Sequence, residues 1–168
     1  MRKHIFMLPL AVIALSACGQ GGSGNGGGVA GDTHASTAAI SAYMSKEYST
    51  EQETFRANLQ ALENDEASKD IECTEHELVA VVNLKKTQVQ TFVNAVIEFI
   101  RAEKSKNQID KASIAPLFTD YRTKDLGWLA STNLIPACEF TSQMVSATGY
   151  ATGIESAYAT AIGQLNAM

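Results

Sequence analysis

The sequence predicts an all-α fold, a bundle of four or five helices behind a signal peptide and a flexible Gly-rich tether. Apolar residues recur at steps of three and four over long stretches, which is the spacing of one face of a helix. The longest such stretch is roughly 25 residues, well beyond the length of ordinary strands. The chain is 45% apolar, which is typical of a globular protein with a core.

The first 17 residues have the three parts of a secretory signal. Two basic residues come first, an apolar stretch follows from Ile5 to Leu15, and small residues come last. The apolar stretch is too short to span roughly 30 Å of hydrocarbon at about 1.5 Å per residue, and Pro9 interrupts it. We therefore expect residues 1–17 to be a cleaved signal peptide and not a transmembrane helix.

A cysteine follows this segment directly. The sequence Leu15-Ser16-Ala17-Cys18-Gly19 resembles the lipobox of bacterial lipoproteins, whose cysteine is acylated and becomes the new N-terminus. The resemblance implies lipidation of Cys18 and stable membrane attachment. Gly19 is similar to the outer-membrane sorting signal of Gram-negative lipoproteins, which implies an outer-membrane protein that faces the periplasm or the cell surface. The alternative, an ordinary cleavage site, leaves Cys18 as a free thiol in an oxidising compartment.

Residues 18–32 are predicted to be the tether. Positions 19–32 read GQGGSGNGGGVAGD, a composition typical of flexible linkers, and 14 such residues span roughly 20 Å as a random coil. The remaining residues, 33–168, suffice for a single helical domain with its own core.

The net charge of the mature chain argues against nucleic acid as a partner. Removal of residues 1–17 takes away two of the 13 basic residues and none of the 18 acidic ones, which leaves a net charge of −7. Without basic clusters, the electrostatic contribution that dominates nucleic-acid binding is missing. An acidic surface also repels anionic lipid, so we expect membrane attachment through the lipid anchor alone.

The first helical region starts near Thr33 or Ser36. Ser49-Thr50-Glu51-Gln52 matches a capping box, in which Ser49 is the N-cap and Gln52 follows three residues later. We therefore expect a short helix that ends there, followed by a longer one from about Thr50 to Asn64.

The strongest helical pattern begins at a second capping box, Thr74 to Glu77, and continues to about Glu103. We expect this helix to be the centre of the bundle. Its apolar stripe consists of Leu78, Val81, Val82, Leu84 or Lys85, Val89, Phe92, Val93, Val96, Ile97 and Ile100.

A short helix is predicted next, capped by Asp110 or Ser113. Pro116 is best tolerated in a first turn, which favours Ser113 as the cap. The segment from Ser105 to Ile135 has large apolar residues, among them Trp128, and we expect it to be packed.

The last helix is predicted to begin at Pro136, since proline suits a first turn, and to continue to Leu165. One of its faces is lined by small residues, which would let a neighbouring helix approach closely. In a bilayer this row would suggest dimerisation, but the polar residues around it favour packing within a soluble bundle. The row consists of Gly149, Gly153, Ala157 and Ala161.

With Cys18 lipidated, two cysteines remain. Cys73 and Cys138 both lie at predicted helix starts, and outside the cytoplasm we expect them to form a disulfide. A redox pair is a weaker alternative, because the chain has no CxxC motif. Cys73 and its neighbours Glu75, His76 and Glu77 could bind a metal only if the thiol were free, and they do not make a closed site. We therefore predict no metal.

The chain has no motif for hydrolysis, nucleotide binding or haem attachment. Met144 and His76 could ligate haem in a bundle, but a methionine on an apolar stripe is typical of core packing. We expect three acidic residues, Asp120, Asp125 and Glu139, to lie on solvated faces. The sequence therefore predicts no enzyme and no cofactor.

The overall plan resembles the helical pilotins of type II secretion systems. The similar features are Cys18 as anchor, the Cys73–Cys138 pair as bridge, and Gly127-Trp128 between helices. The resemblance implies a helical segment of an outer-membrane secretin as partner. More generally, we expect the domain to bind another envelope protein, in an assembly, chaperone-like or secretion accessory role. The alternatives are an immunity or exclusion lipoprotein against a toxin or mobile element, and a periplasmic module that binds a small ligand or a metal.

Overall fold

The computed structural model describes residues 33–67, 75–131 and 142–168. In these ranges the chain forms five helices and no strand, which confirms the all-α prediction. The helices are α1 (Thr33–Ala67), α2 (Glu75–Lys104), α3 (Lys111–Ser131), α4 (Ser142–Ala147) and α5 (Tyr150–Ala167). Within the same ranges, no helix is both long enough and apolar enough to cross a membrane.

The four long helices form a bundle in which α2 and α3 lie diagonally opposite each other. Helix α1 packs against α2 and α3, and α5 packs against the same two helices. The apolar stripe predicted for this helix is confirmed, because it is buried along the whole length of α2. The prediction that α2 is the centre of the bundle is wrong, because the four long helices surround a shared core and α2 is one of them. Of the two candidates left open within that stripe, Lys85 is fully buried and Leu84 is only half-buried.

Helix α1 is continuous, so the prediction of two helices separated at Ser49 is wrong. Thr50 Oγ1 donates a hydrogen bond to the Lys46 carbonyl at 3.2 Å, a contact that threonine makes inside a helix. Met44 and Phe55, on either side of the predicted break, are both buried. Burial of one unbroken stripe therefore outweighs the local capping signal, as tertiary packing commonly does.

Helix α3 is capped by Asp110 and not by Ser113. Asp110 Oδ1 accepts hydrogen bonds from the backbone N–H groups of Ala112 at 3.0 Å and Ser113 at 3.3 Å. Pro116 consequently lies beyond the first turn, where its missing N–H leaves the Ala112 carbonyl without a helical donor. Both residues are exposed, so water can satisfy that carbonyl. The helix is also longer than the short element predicted. It includes Gly127 and Trp128, so the expectation that these two residues lie between helices is wrong.

The predicted continuous last helix is wrong as well, because α4 and α5 are separate. Gly149, between them, has a φ of 64°, a left-handed conformation that glycine adopts without a steric penalty. Thr148 Oγ1 donates to the Val145 carbonyl at 2.6 Å, and Lys86 Nζ of α2 donates to the Thr148 carbonyl at 3.1 Å. The predicted start at Pro136 lies outside the described residues.

Part of the row of small residues is packed inside the bundle, and Gly153 within it lies against α2. Ala157 and Ala161 are buried, and the side chain of Lys86 passes directly over Gly153. A Cβ atom at Gly153 would lie 2.7 Å from Lys86 Cε, which is closer than van der Waals contact allows.

Gly153→Leu is expected to lower the free energy of unfolding by about 1–3 kcal/mol through overpacking. The new side chain would displace the Lys86 methylenes and break the hydrogen bond from Lys86 to Thr148. Gly163→Leu is the matched control, because Gly163 is exposed and nothing lies within 4 Å of a Cβ there. Urea unfolding followed by far-ultraviolet circular dichroism measures both variants, and equal stability would contradict the packing of Gly153 against α2.

Candidate functional site

An ion pair lies at the centre of the bundle. Lys85 Nζ of α2 is 2.8 Å from Asp125 Oδ1 of α3, and both side chains are completely buried. The prediction that Asp125 lies on a solvated face is therefore wrong, whereas Asp120 is exposed as expected. Glu139, the third residue of that prediction, lies outside the described residues. Because α2 and α3 are diagonal, the pair crosses the interior from one helix to the other.

Three tyrosines complete the group around Asp125. Tyr48 of α1 donates to Asp125 Oδ1 at 2.8 Å, and Tyr158 of α5 donates to Oδ2 at 2.6 Å. Tyr150, also on α5, donates to the Asp125 backbone carbonyl at 2.7 Å. We name these three tyrosines together with Lys85 and Asp125 the central polar cluster. All four long helices contribute to it.

Further contacts offset the burial of the Lys85 ammonium. Gln88 Oε1 accepts a hydrogen bond from Lys85 Nζ at 2.6 Å. The rings of Phe55 and Trp128 have their centres 5.3 and 5.5 Å from the same nitrogen, within the range of cation–π attraction. Aromatic faces and an amide oxygen therefore replace much of the water that an exposed ammonium would bind.

Burial governs the ionisation of the cluster. It lowers the pKa of Lys85, although the charge of Asp125 opposes this shift. Burial also raises the pKa of Tyr48, Tyr150 and Tyr158, and the negative charge of Asp125 raises each of them further. At neutral pH the three hydroxyls are therefore neutral donors.

The geometry of the cluster supports a structural role. Lys85 and Asp125 have no exposed surface, so a substrate in solution cannot reach them while the bundle is folded. A buried charge that loses its partner is strongly destabilising. Packings that shift one helix along another would separate Lys85 from Asp125, and they are disfavoured for that reason. We interpret the cluster as the device that fixes the register of the four long helices.

None of the residues that were predicted to carry chemistry is a member of the central polar cluster. Cys18, Cys73 and Cys138 are outside the described residues, so lipidation and the disulfide remain predictions. His76 is in α2, and its side chain is not described. Met144 is partly buried and packs against the hydrophobic core, as predicted. Across residues 33–67, 75–131 and 142–168, no group of three or more His, Cys, Asp or Glu side chains is placed to hold a metal.

The sequence contained a signal for this cluster that the predictions did not use. Lys85 lies at a core position of the α2 stripe, and Asp125 lies at helical spacing from Phe118, Tyr121 and Trp128. Each charge thus interrupts an apolar helix face, and the two charges are opposite. Such a combination favours an internal ion pair over two solvated side chains.

Comparisons of the chain with protein families, with characterised proteins and with solved structures gave no significant match. Its function is therefore inferred from its own residues.

Proposed function

We propose that this protein is a lipid-anchored envelope lipoprotein whose helical domain binds another envelope protein. The observation that carries the proposal is the sequence Leu15-Ser16-Ala17-Cys18-Gly19, with its apolar run before it and its Gly-rich stretch after it. Acylation at Cys18 would hold the domain within about 50 Å of the membrane, the extended length of the tether. Confinement to one surface raises the effective concentration of the domain for a partner in the same membrane.

The helical domain is suited to a binding role. Two of its buried ionisable groups, Lys85 and Asp125, are paired with each other inside the bundle and join two of its helices. A rigid bundle presents fixed helix faces, which reduces the ordering cost of association. The resemblance to pilotins supports a helical segment of a secretin as one specific partner.

Cys18→Ala is expected to abolish membrane retention and the recovery of membrane-bound partners. The wild-type and variant proteins are produced in a Gram-negative host and compared by membrane fractionation, mass spectrometry of the N-terminal peptide and affinity purification. The wild-type protein should carry acyl chains on Cys18 and be found with the outer membrane.

Cys73→Ser serves as the matched control, because it removes a different cysteine and leaves the lipobox intact. It should remain membrane-bound. Identical fractionation and identical partners for the wild-type protein and Cys18→Ala would contradict the anchored function.

A further inference from the structure

A pocket of about 260 Å³ opens between the start of α1 and the end of α2. These two helices run antiparallel, since Tyr43 of α1 stacks on Phe99 of α2 with ring centres 4.1 Å apart and Tyr48 meets Phe92 further along. The pocket lies one helical turn beyond the Tyr43–Phe99 stack. Its lining consists of Ala35, Ser36, Ala39, Glu103 and Asn107. Its volume lies just below the range of about 300–1,000 Å³ that is typical of small-molecule sites, so it has room for a small ligand.

Ser36 is the residue that points to a ligand. It is 2% exposed, and its hydroxyl oxygen is buried without a hydrogen-bond partner. A buried polar group in this state carries its full desolvation cost, and native structures seldom leave one without a reason. A ligand in the pocket would satisfy it.

The other polar side chains of the pocket supply oxygen acceptors. The Glu103 side chain is only 15% exposed, and its contact with Lys106 Nζ is long, at 3.5 Å. Lys106 is largely exposed, so this ion pair is weak. The Asn107 backbone N–H donates to the Glu103 carbonyl at 2.9 Å, which fixes the turn that brings Asn107 to the pocket. Ala35 and Ala39 contribute methyl groups.

We propose that this pocket binds a small primary ammonium compound with a short aliphatic part. An ammonium group has three N–H donors, and the residues that line the pocket offer three oxygen acceptors, the Glu103 carboxylate, the Ser36 hydroxyl and the Asn107 amide oxygen. The hydrogen bond to the carboxylate is charge-assisted and therefore the strongest of the three. The aliphatic part packs against Ala35 and Ala39. This site does not depend on the proposed recognition of an envelope protein.

The test is a titration of the full chain in detergent with n-propylammonium chloride, followed by amide ¹H–¹⁵N correlation spectra at constant ionic strength. Saturable shifts are expected at Ser36, Ala39, Glu103 and Asn107. n-Propanol has nearly the same shape without the charge, and tetramethylammonium has the charge without the N–H donors. Both are expected to bind at least about tenfold more weakly, the effect of losing one charge-assisted hydrogen bond.

Point variants test whether n-propylammonium binds in this pocket. Glu103→Gln is expected to raise the Kd for n-propylammonium at least about tenfold, and Ser36→Ala about threefold or more. Glu98→Gln is the matched control, because Glu98 is exposed on the same helix, and it should leave the Kd unchanged. The dispersion of the same spectra reports whether each variant is folded. The proposal is overturned by non-saturable shifts, by equal affinity for n-propanol, or by an unchanged Kd in folded Glu103→Gln.

Discussion

Replacement of Asp125 by alanine is expected to lower the free energy of unfolding by about 3–5 kcal/mol, the usual effect of removing one partner of a buried ion pair. Lys85 Nζ would keep the Gln88 amide oxygen as its hydrogen-bond acceptor. The hydroxyls of Tyr48 and Tyr158 would lose the carboxylate that accepts from them. Urea unfolding followed by circular dichroism measures the loss.

Two further variants separate the ion pair from the general effect of truncation. Asp120→Ala removes an exposed carboxylate from the same helix and should change the free energy of unfolding by less than about 0.5 kcal/mol. The double variant Lys85→Met/Asp125→Asn removes both charges but leaves the tyrosines an acceptor, so it should regain most of the loss. A loss below about 1 kcal/mol in Asp125→Ala would contradict the structural role of the cluster.

Stability is also expected to fall steeply above about pH 10. Tyr48, Tyr150 and Tyr158 each have a pKa raised above the ordinary value of 10.0, so above that pH only the unfolded chain releases their protons. The stabilisation from these hydroxyls is fully present below pH 10 and is lost as the pH rises further. With three protons involved, the free energy of unfolding falls by up to about 4 kcal/mol per pH unit.

Lys85 has the opposite effect on the pH dependence of stability, and it does so at lower pH. Its pKa in the folded protein is below the ordinary value of 10.5, so the unfolded chain binds the proton more strongly. Stability therefore rises as the pH increases from the pKa of folded Lys85 to about 10.5. The two effects oppose each other close to pH 10. The steep fall is therefore expected only above it.

An alkaline titration checks this expectation. Tyrosinate absorbance and far-ultraviolet circular dichroism are recorded together, and the unfolded chain in guanidinium provides the reference in which all five tyrosines ionise. The three cluster tyrosines should ionise in the same transition in which helix is lost, and Tyr158→Phe should reduce that absorbance step by about one third. Ionisation of all tyrosines before any loss of helix would show that the cluster is open to solvent.

The sequence predicted those parts of the fold that local pattern determines. Helix α2 has apolar residues on the same face for its whole length, and the burial of that face is confirmed. The predictions were wrong where a local signal competes with packing. A capping box at Ser49 is overridden by the continuous stripe of α1, and a single glycine at position 149, which a helix can tolerate, instead takes the left-handed conformation and ends α4.

The central polar cluster was harder to predict, for a different reason. Lys85 and Asp125 are 40 residues apart in the chain, and neither helix alone indicates a partner for its charge. The pairing requires the knowledge that α2 and α3 face each other across the bundle, which depends on how α1 and α5 pack between them. Helix periodicity carries no information on that arrangement.

The central polar cluster affects how the helical domain unfolds. Its members come from all four long helices. The Asp125 carboxylate of α3 accepts hydrogen bonds from Tyr48 of α1, Lys85 of α2 and Tyr158 of α5. A helix that left the bundle alone would expose part of this group to water while its other members stayed desolvated and incompletely paired. We therefore expect separation of a single long helix to be costly, and the four long helices to unfold as one cooperative unit. The domain is therefore expected to show a single unfolding transition without a partly open intermediate.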